Sequence, residues 1–150
     1  MEALQAIWFT QVVIAIAYGG EQIIAPGRVD QYLYPFYKQD VENGRITSEE
    51  ALEAIMEYLI KVGQNIYFGP NNITIGGVDR NGNCAVNDVS YLFLEALKRL
   101  KGCGRVGLAV RVSRNTPREF LIKAAEVHRV TGGIAFYNDE VIIRDLLVDG

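Results

Sequence analysis

The sequence predicts an α/β fold: helices, then a β-α-β-α-β segment with parallel strands. Three observations carry this. Short runs rich in β-branched and apolar residues stand at 73–75, 106–112 and 134–137. The two intervals between them each open on helix-start chemistry and close on glycine. Over residues 51–60 the apolar residues instead recur at helical spacings of three and four. Strand, helix, strand, helix, strand in that order favours parallel strands joined by right-handed crossovers.

The helical half, 1–63, begins with a strongly apolar run over residues 3–17, interrupted by Gln5, Thr10 and Gln11. A membrane span needs about 20 apolar residues. A signal peptide needs a basic start, and Glu2 follows Met1 directly. The run predicts a helix over about residues 4–18, buried on most sides and covered by something outside this sequence. Gly19 and Gly20 end it. DQYLYPFYKQDVENG predicts a short helical stretch in which Pro35 either kinks the helix or sits in a first turn. Its aromatic residues Tyr32, Tyr34, Phe36 and Tyr37 are expected in a core or an interface. Thr47 and Glu50 have capping-box spacing. The following helix presents Ala51, Leu52, Ile55, Met56, Leu59 and Ile60 on one face and ends near Gly63.

The mixed half, 64–150, opens on a loop. Ile73-Thr74-Ile75 is a short strand. Asp79-Arg80-Asn81-Gly82-Asn83 is a turn cluster, and Asn87 or Asp88 caps a helix running to about Leu100. Val106–Val112 is apolar enough for a strand buried on both faces. Thr116-Pro117-Arg118-Glu119 starts another helix, with Pro at N1 and Glu at N3. A third strand at 134–137 is followed by a helical turn over about residues 140–147. Three parallel strands with open edges are unstable alone. Either the first helices cover them, or the sheet continues elsewhere. No domain boundary, repeat or low-complexity linker is visible.

The chain has 150 residues, 49% of them hydrophobic and 22% charged, with a net charge of −3 and no basic stripe. That balance argues against nucleic acid and anionic membrane as partners. Cys84 and Cys103 form neither a CxxC pair nor a secreted disulfide pattern, and read as reduced thiols of a cytosolic protein. His128 has no HxxxH or cysteine companion, so no zinc site is expected. Counted from Asp79, the calcium-loop positions that need Gly and Glu hold Cys84 and Ser90. Gly76-Gly77 lacks GxGxxG or GK[ST] context and reads as a place of close approach rather than a phosphate cradle. Arg111, Arg114 and Arg118 offer an anion clamp at a strand's carboxyl end or are surface residues. Asn138-Asp139-Glu140 offers acid–base groups or a cap.

PGRVDQYLYPFYKQD with GRITSEEA, then NITIGGVDRNGN with NDVSYLFLEAL, then RVGLAVRVSRNTPREFLIKAAEV, then AFYNDEVII, in this order, resemble the pyruvate formate-lyase domain of glycyl radical enzymes. The resemblance runs from about Trp8 to Ile143 and is nearer the dehydratase and choline-lyase branches than pyruvate formate-lyase itself. It implies part of a ten-stranded α/β barrel built from two half-barrels. It also implies a parent reaction of radical C–C, C–O or C–N cleavage on a small polar substrate, in anaerobic cytoplasm. The cofactor implied is a glycyl radical installed by an S-adenosylmethionine-dependent activase, and none is expected on this chain.

The family's cysteine lies in a GCVEP-like motif shortly after the AFYNDEVII block, and this sequence ends at Asp149-Gly150. Neither Cys84 nor Cys103 matches that motif. The family's RVxGY glycine motif is also absent, so no catalytic residue is assigned. Substrate-facing positions implied by the resemblance are Gln22 and Ile23, which stand where dehydratases often carry His-Ser, and Pro70, Asn71 and Asn72 ahead of the IGG turn. The His-Ser departure speaks against a diol or glycerol substrate. The loop from Val62 to Pro70 is shorter than usual for the family. Asn138 and Asp139 are expected to be structural.

Two functional expectations follow. One is a barrel segment of a glycyl radical lyase or dehydratase, inactive alone, whose partners are the remaining enzyme segments or a complementary chain, the activase and a small-molecule substrate. The other is a stand-alone, non-catalytic structural or partner-binding domain, or a gene remnant.

Overall fold

The computed structural model describes residues 2–19, 24–64, 71–102 and 106–148. In chain order the elements are α1 (Glu2–Ala17), β1 (Gly27–Arg28), α2 (Val29–Glu42), α3 (Ser48–Gln64), β2 (Asn71–Gly76), α4 (Asp88–Arg99), β3 (Val106–Val112), α5 (Arg118–Thr131), β4 (Ile134–Asn138) and α6 (Asp139–Val148). The four strands form one sheet in the order β1-β2-β3-β4, every pair parallel. The β-α-β-α-β segment stands as expected. The additional strand is β1, which is two residues long and offers no periodicity to read.

Capping residues set several helix boundaries. At α3 the Thr47 hydroxyl accepts the Glu50 N–H at 3.2 Å while the Glu50 carboxylate accepts the Thr47 N–H at 2.7 Å, closing the predicted capping box. Asn87 does the same for α4, accepting from Val89 N and Ser90 N, while its own N–H donates to Ser90 Oγ. The start of α5 differs from expectation. Pro117 is the cap residue rather than N1, and the Thr116 hydroxyl faces backwards to accept the Ser113 N–H at 2.8 Å. Proline can supply only its carbonyl here, which accepts from Phe120 N and Leu121 N. Pro35 lies inside α2.

Register places Ile73, Leu108 and Ile134 side by side, with Ile75, Val110 and Phe136 two residues on. Alternation puts these on one face of the sheet. Ile73, Ile75, Leu108, Val110 and Ile134 join one core with Leu59 and Val62 of α3, Phe93 and Leu97 of α4, and Phe120, Ala124 and Val127 of α5. In α2, Leu33 is buried and Tyr34 and Tyr37 pack on this core, while Tyr32 and Phe36 stay exposed.

The other sheet face carries Asn72, Thr74, Ala109, Arg111, Ala135 and Tyr137. Asn72, Ala135 and Tyr137 are exposed there. β3 is therefore packed along one face and, on the other, buried only at Ala109. Parallel sheets are ordinarily covered on both faces. This one has helices on one face and small or polar residues on the other.

α1 forms where the sequence placed it, and most of its apolar surface is uncovered among the described residues. Its buried residues are Leu4, Gln11 and Ala15, while Phe9, Val13 and Ile16 are exposed. Because apolar residues surround this helix, docking one face leaves the others in water. The docked face is tied by polar groups: Tyr58 Oη donates to Gln11 Oε1 at 2.9 Å, and Gln11 Nε2 donates to Ile24 O at 3.0 Å. Burial pushes the Tyr58 hydroxyl pKa well above the usual tyrosine value. No helix among the described residues is long and apolar enough to cross a membrane.

Candidate functional site

Carboxyl ends of parallel strands are where α/β sheets hold their chemistry. In this chain those ends converge on one turn, Gly76-Gly77-Val78. The Gly76 N–H donates to Asp30 Oδ2 at 2.7 Å. Arg28 Nη2 donates to the Gly76 carbonyl at 2.6 Å, and Arg28 Nη1 to the Val78 carbonyl at 2.8 Å. The Gly77 carbonyl accepts from Ala85 N at 2.8 Å. The Val78 N–H donates to Asp139 Oδ2 at 2.8 Å. Two carboxylates and a guanidinium, drawn from β1, α2 and α6, thus hold a three-residue turn at the end of β2.

Arg111, at the end of β3, completes the cluster. Its Nε donates to Asp139 Oδ1 at 2.7 Å and its Nη2 to Asp139 Oδ2 at 3.1 Å. This fork-on-carboxylate geometry is the stronger form of ion pair. Asp139 is almost wholly buried and Arg111 partly so. The arginine clamp considered from sequence is therefore filled by the chain's own carboxylate. Asn138 caps α6, its Oδ1 accepting from Glu140 N at 2.9 Å. Glu140 accepts from the Arg114 N–H at 2.8 Å, which holds its carboxyl below the usual range.

Gly76-Gly77 is a site of close approach, as read from sequence. A Cβ on Gly77 would lie 2.6 Å from Asp139 Oδ2 and 2.9 Å from Arg111 Cβ. A Cβ on Gly76 would lie 2.9 Å from the Arg111 carbonyl oxygen. The two glycines, both at positive φ, let the ion pair sit against bare backbone.

Asp30 is fully buried. Burial raises its pKa, opposed by the Gly76 N–H and by Ser90, whose hydroxyl donates to Oδ2 at 2.6 Å. Arg28 is shifted the other way, lowered chiefly by desolvation and next by the neighbouring Arg111 charge. Asp30 Oδ1 and Arg28 Nε are buried without a protein partner.

Of the positions that the resemblance implied, Gln22, Ile23 and Pro70 lie outside the described residues, as does Cys103. Asn71 opens β2 opposite Val106, and Asn72 follows opposite Gly107. Asn72 is exposed on the open sheet face. Both asparagines stand at the amino end of β2, roughly 15 Å by strand rise from the clamped turn. The structure therefore does not bring them to the charged cluster. Sequence reading missed Arg28 and Asp30. The available signal was that a charged pair set into an otherwise apolar and aromatic stretch requires internal partners when buried. Cys84 is a half-buried free thiol. Among the described residues no group of three or more His, Cys, Asp or Glu is placed to hold a metal ion.

The family model described as pyruvate formate lyase-like matches residues 1–150. The chain belongs to this family. It is 32% identical to trans-4-hydroxy-L-proline dehydratase of Clostridioides difficile, over 99% of this chain and 21% of that protein. It is 36% identical to isethionate sulfite-lyase of Oleidesulfovibrio alaskensis, over 95% of this chain and 19% of that protein. Among solved structures, the glycerol-bound B12-independent glycerol dehydratase from Clostridium butyricum is similar with a TM-score of 0.86 and 37% identity. That match covers 99% of this chain and 20% of the dehydratase. The relatives are glycyl radical dehydratases and lyases, and the chain spans about one fifth of their length. The four-stranded sheet is thus part of a glycyl radical enzyme barrel.

Proposed function

We propose that the chain serves as a barrel segment of a glycyl radical lyase or dehydratase acting by C–C, C–O or C–N cleavage on a small polar substrate. The observation that carries this is the open sheet face. A parallel sheet packed by helices on one side, with Asn72, Ala135 and Tyr137 exposed on the other, suits the inside wall of a barrel. In this reading Gln22, Ile23, Pro70, Asn71 and Asn72 border the substrate chamber, and the exposed Asn72 supports it. The clamped Gly76-Gly77-Val78 turn keeps the barrel rim rigid while chemistry proceeds.

The glycyl radical of such enzymes supplies the odd electron, and an S-adenosylmethionine-dependent activase installs it. No residue of this chain matches the family's cysteine or glycine motif, so the chain's own contribution is walls, rim and orientation. Activity requires the remaining barrel segments or a complementary chain, in the cytoplasm. The test is co-expression with those segments and the activase, followed by electron paramagnetic resonance. A glycyl radical signal in the mixture, with none from the chain alone, is the expected result. Absence of signal with every complement would leave the second reading, a stand-alone partner-binding or structural domain or a gene remnant. One observation favours that reading: α2 to α5 and the sheet already share one continuous core. A monodisperse monomer that melts cooperatively would strengthen it.

A further inference from the structure

Beside the Gly76-Gly77-Val78 turn, a carboxylate and a guanidinium are enclosed with part of their hydrogen-bonding capacity unmatched. Asp30 has no exposed surface. Its Oδ2 accepts twice, from Gly76 N at 2.7 Å and from Ser90 Oγ at 2.6 Å. Its Oδ1 is buried and has no protein partner among the described residues. Arg28 shows the complementary pattern. Its Nη2 and Nη1 donate to the Gly76 and Val78 carbonyls at 2.6 and 2.8 Å, while its Nε is buried with the N–H unmatched. On a guanidinium, Nε and Nη2 lie along one edge of a fixed fork, so Nε faces the same side as the Gly76 carbonyl. The two orphan atoms thus flank one residue: Arg28 holds the Gly76 carbonyl and Asp30 holds its N–H.

Buried polar groups in native proteins are paired, by protein or by ordered water. Other partners fail here for separate reasons. Both atoms are already covered while the open sheet face is bare, so an element laid on that face packs outside them. The Gln31 amide follows Asp30 in the chain, but its Nε2 donates to the Ala85 carbonyl at 2.7 Å. A small anion would accept from Nε but meet the Asp30 carboxylate. A small cation would suit Oδ1 but meet Arg28, with the Arg111 charge close by.

The geometry points to an enclosed water site between Asp30 Oδ1 and Arg28 Nε, where one water accepts from the Nε–H and bonds Oδ1. Water fits either protonation state of Asp30, because it donates to an ionised Oδ1 and accepts from a protonated one. Both states matter, since burial raises the Asp30 pKa against the bonds from Gly76, Ser90 and Gln31. The water joins β1 and the first turn of α2 to the end of β2, which closes the clamp within this chain. The site does not rest on the functional reading above.

The test is NMR on the chain in solution, with water itself as the probe. Arg28 Hε should exchange slowly and show a rotating-frame NOE to water. Oxygen-17 relaxation dispersion should find one more long-lived water in the wild type than in Arg28→Lys, which keeps the charge but has no Nε. A slowly exchanging Hε with no NOE to water would overturn the site. A rapidly exchanging Hε would do the same, since the atom would then be open to solvent. Equal water counts in the wild type and a folded Arg28→Lys chain would also overturn it, as would a crystal structure with Oδ1 bonded directly to Arg28 Nε or Gln31 Nε2. Should Arg28→Lys fail to fold, the Hε signal of the wild type decides alone.

Discussion

At Gly77 an added methyl group meets the buried ion pair, and φ is +83°. Gly82 has nearly the same φ, +80°, with nothing within 4 Å of an added Cβ. Comparing the two alanine variants separates backbone strain from steric conflict. Gly82→Ala should cost about 1–2 kcal/mol, the left-handed penalty alone. Gly77→Ala should cost at least about 2 kcal/mol more in urea denaturation, because two neighbours must move. Equal costs would mean that the ion pair yields easily. Arg111→Ala leaves Asp139 buried with only the Val78 N–H, and should cost about 3 kcal/mol. Asp30 gives a pH signature. Its folded pKa is raised, so the folded state holds the proton more tightly than the unfolded chain. Its stabilisation is complete below the ordinary carboxylate value, about pH 4, and is lost as pH rises through the folded value. Asp30→Asn keeps an oxygen for Gly76 and Ser90 but has no proton to lose. The difference in Tm, variant minus wild type, should therefore grow between about pH 4 and 7. A flat difference across that range would show that Asp30 is ionised in the fold. Glu95, lowered first by its Lys123 hydrogen bond, acts in the opposite sense, adding stability above the ordinary value that is lost on acidification.

At the scale of elements, caps and cross-links are the testable units. Asn87 holds two orphan N–H groups at the start of α4, and Asn87→Ala should cost about 1 kcal/mol in thermal or urea unfolding. Tyr58→Phe removes the buried bond to Gln11 and leaves that amide oxygen without this donor, which should cost about 1–2 kcal/mol. The loss should appear as faster hydrogen exchange in α1, with α4 and α5 unchanged, because Gln11 couples α1 and no other helix to Tyr58. The N-terminal helix is tied by a glutamine and a tyrosine as well as by Leu4 and Ala15, while Phe9, Val13 and Ile16 face outwards.

For the molecule as a whole, packing is lopsided. Helices α2 to α5 close one side of the sheet around Phe93 and Phe120, both fully buried, and Phe120→Ala should cost about 3–5 kcal/mol. The opposite sheet face, the outer side of α1 and most of α6 remain uncovered. Phe9→Glu with Val13→Lys on α1 should raise the solubility limit while changing unfolding free energy by less than about 0.5 kcal/mol. A large loss of stability in that variant would mean that Phe9 and Val13 pack within the chain. Measured by light scattering against concentration, reduced association would identify α1 as a sticky surface of the isolated chain.

Local chemistry was legible in advance. The capping box at Thr47, a cap at Asn87 or Asp88 and the glycine stops each depend on residues within a few positions, so the sequence by itself determined them; Gly76-Gly77 was legible as a place of close approach, but what approaches, Arg111 and Asp139, was not. The ordered motif blocks also carried the family. The tertiary structure alone decided which charges meet. Arg28, Asp30, Arg111 and Asp139 are up to 111 positions apart and converge only because four strand ends lie side by side. It also decided which face of α1 is buried. A helix apolar on every side carries no pattern to choose a face; the face that docks is the one with Leu4, Gln11 and Ala15, where Gln11 meets Tyr58.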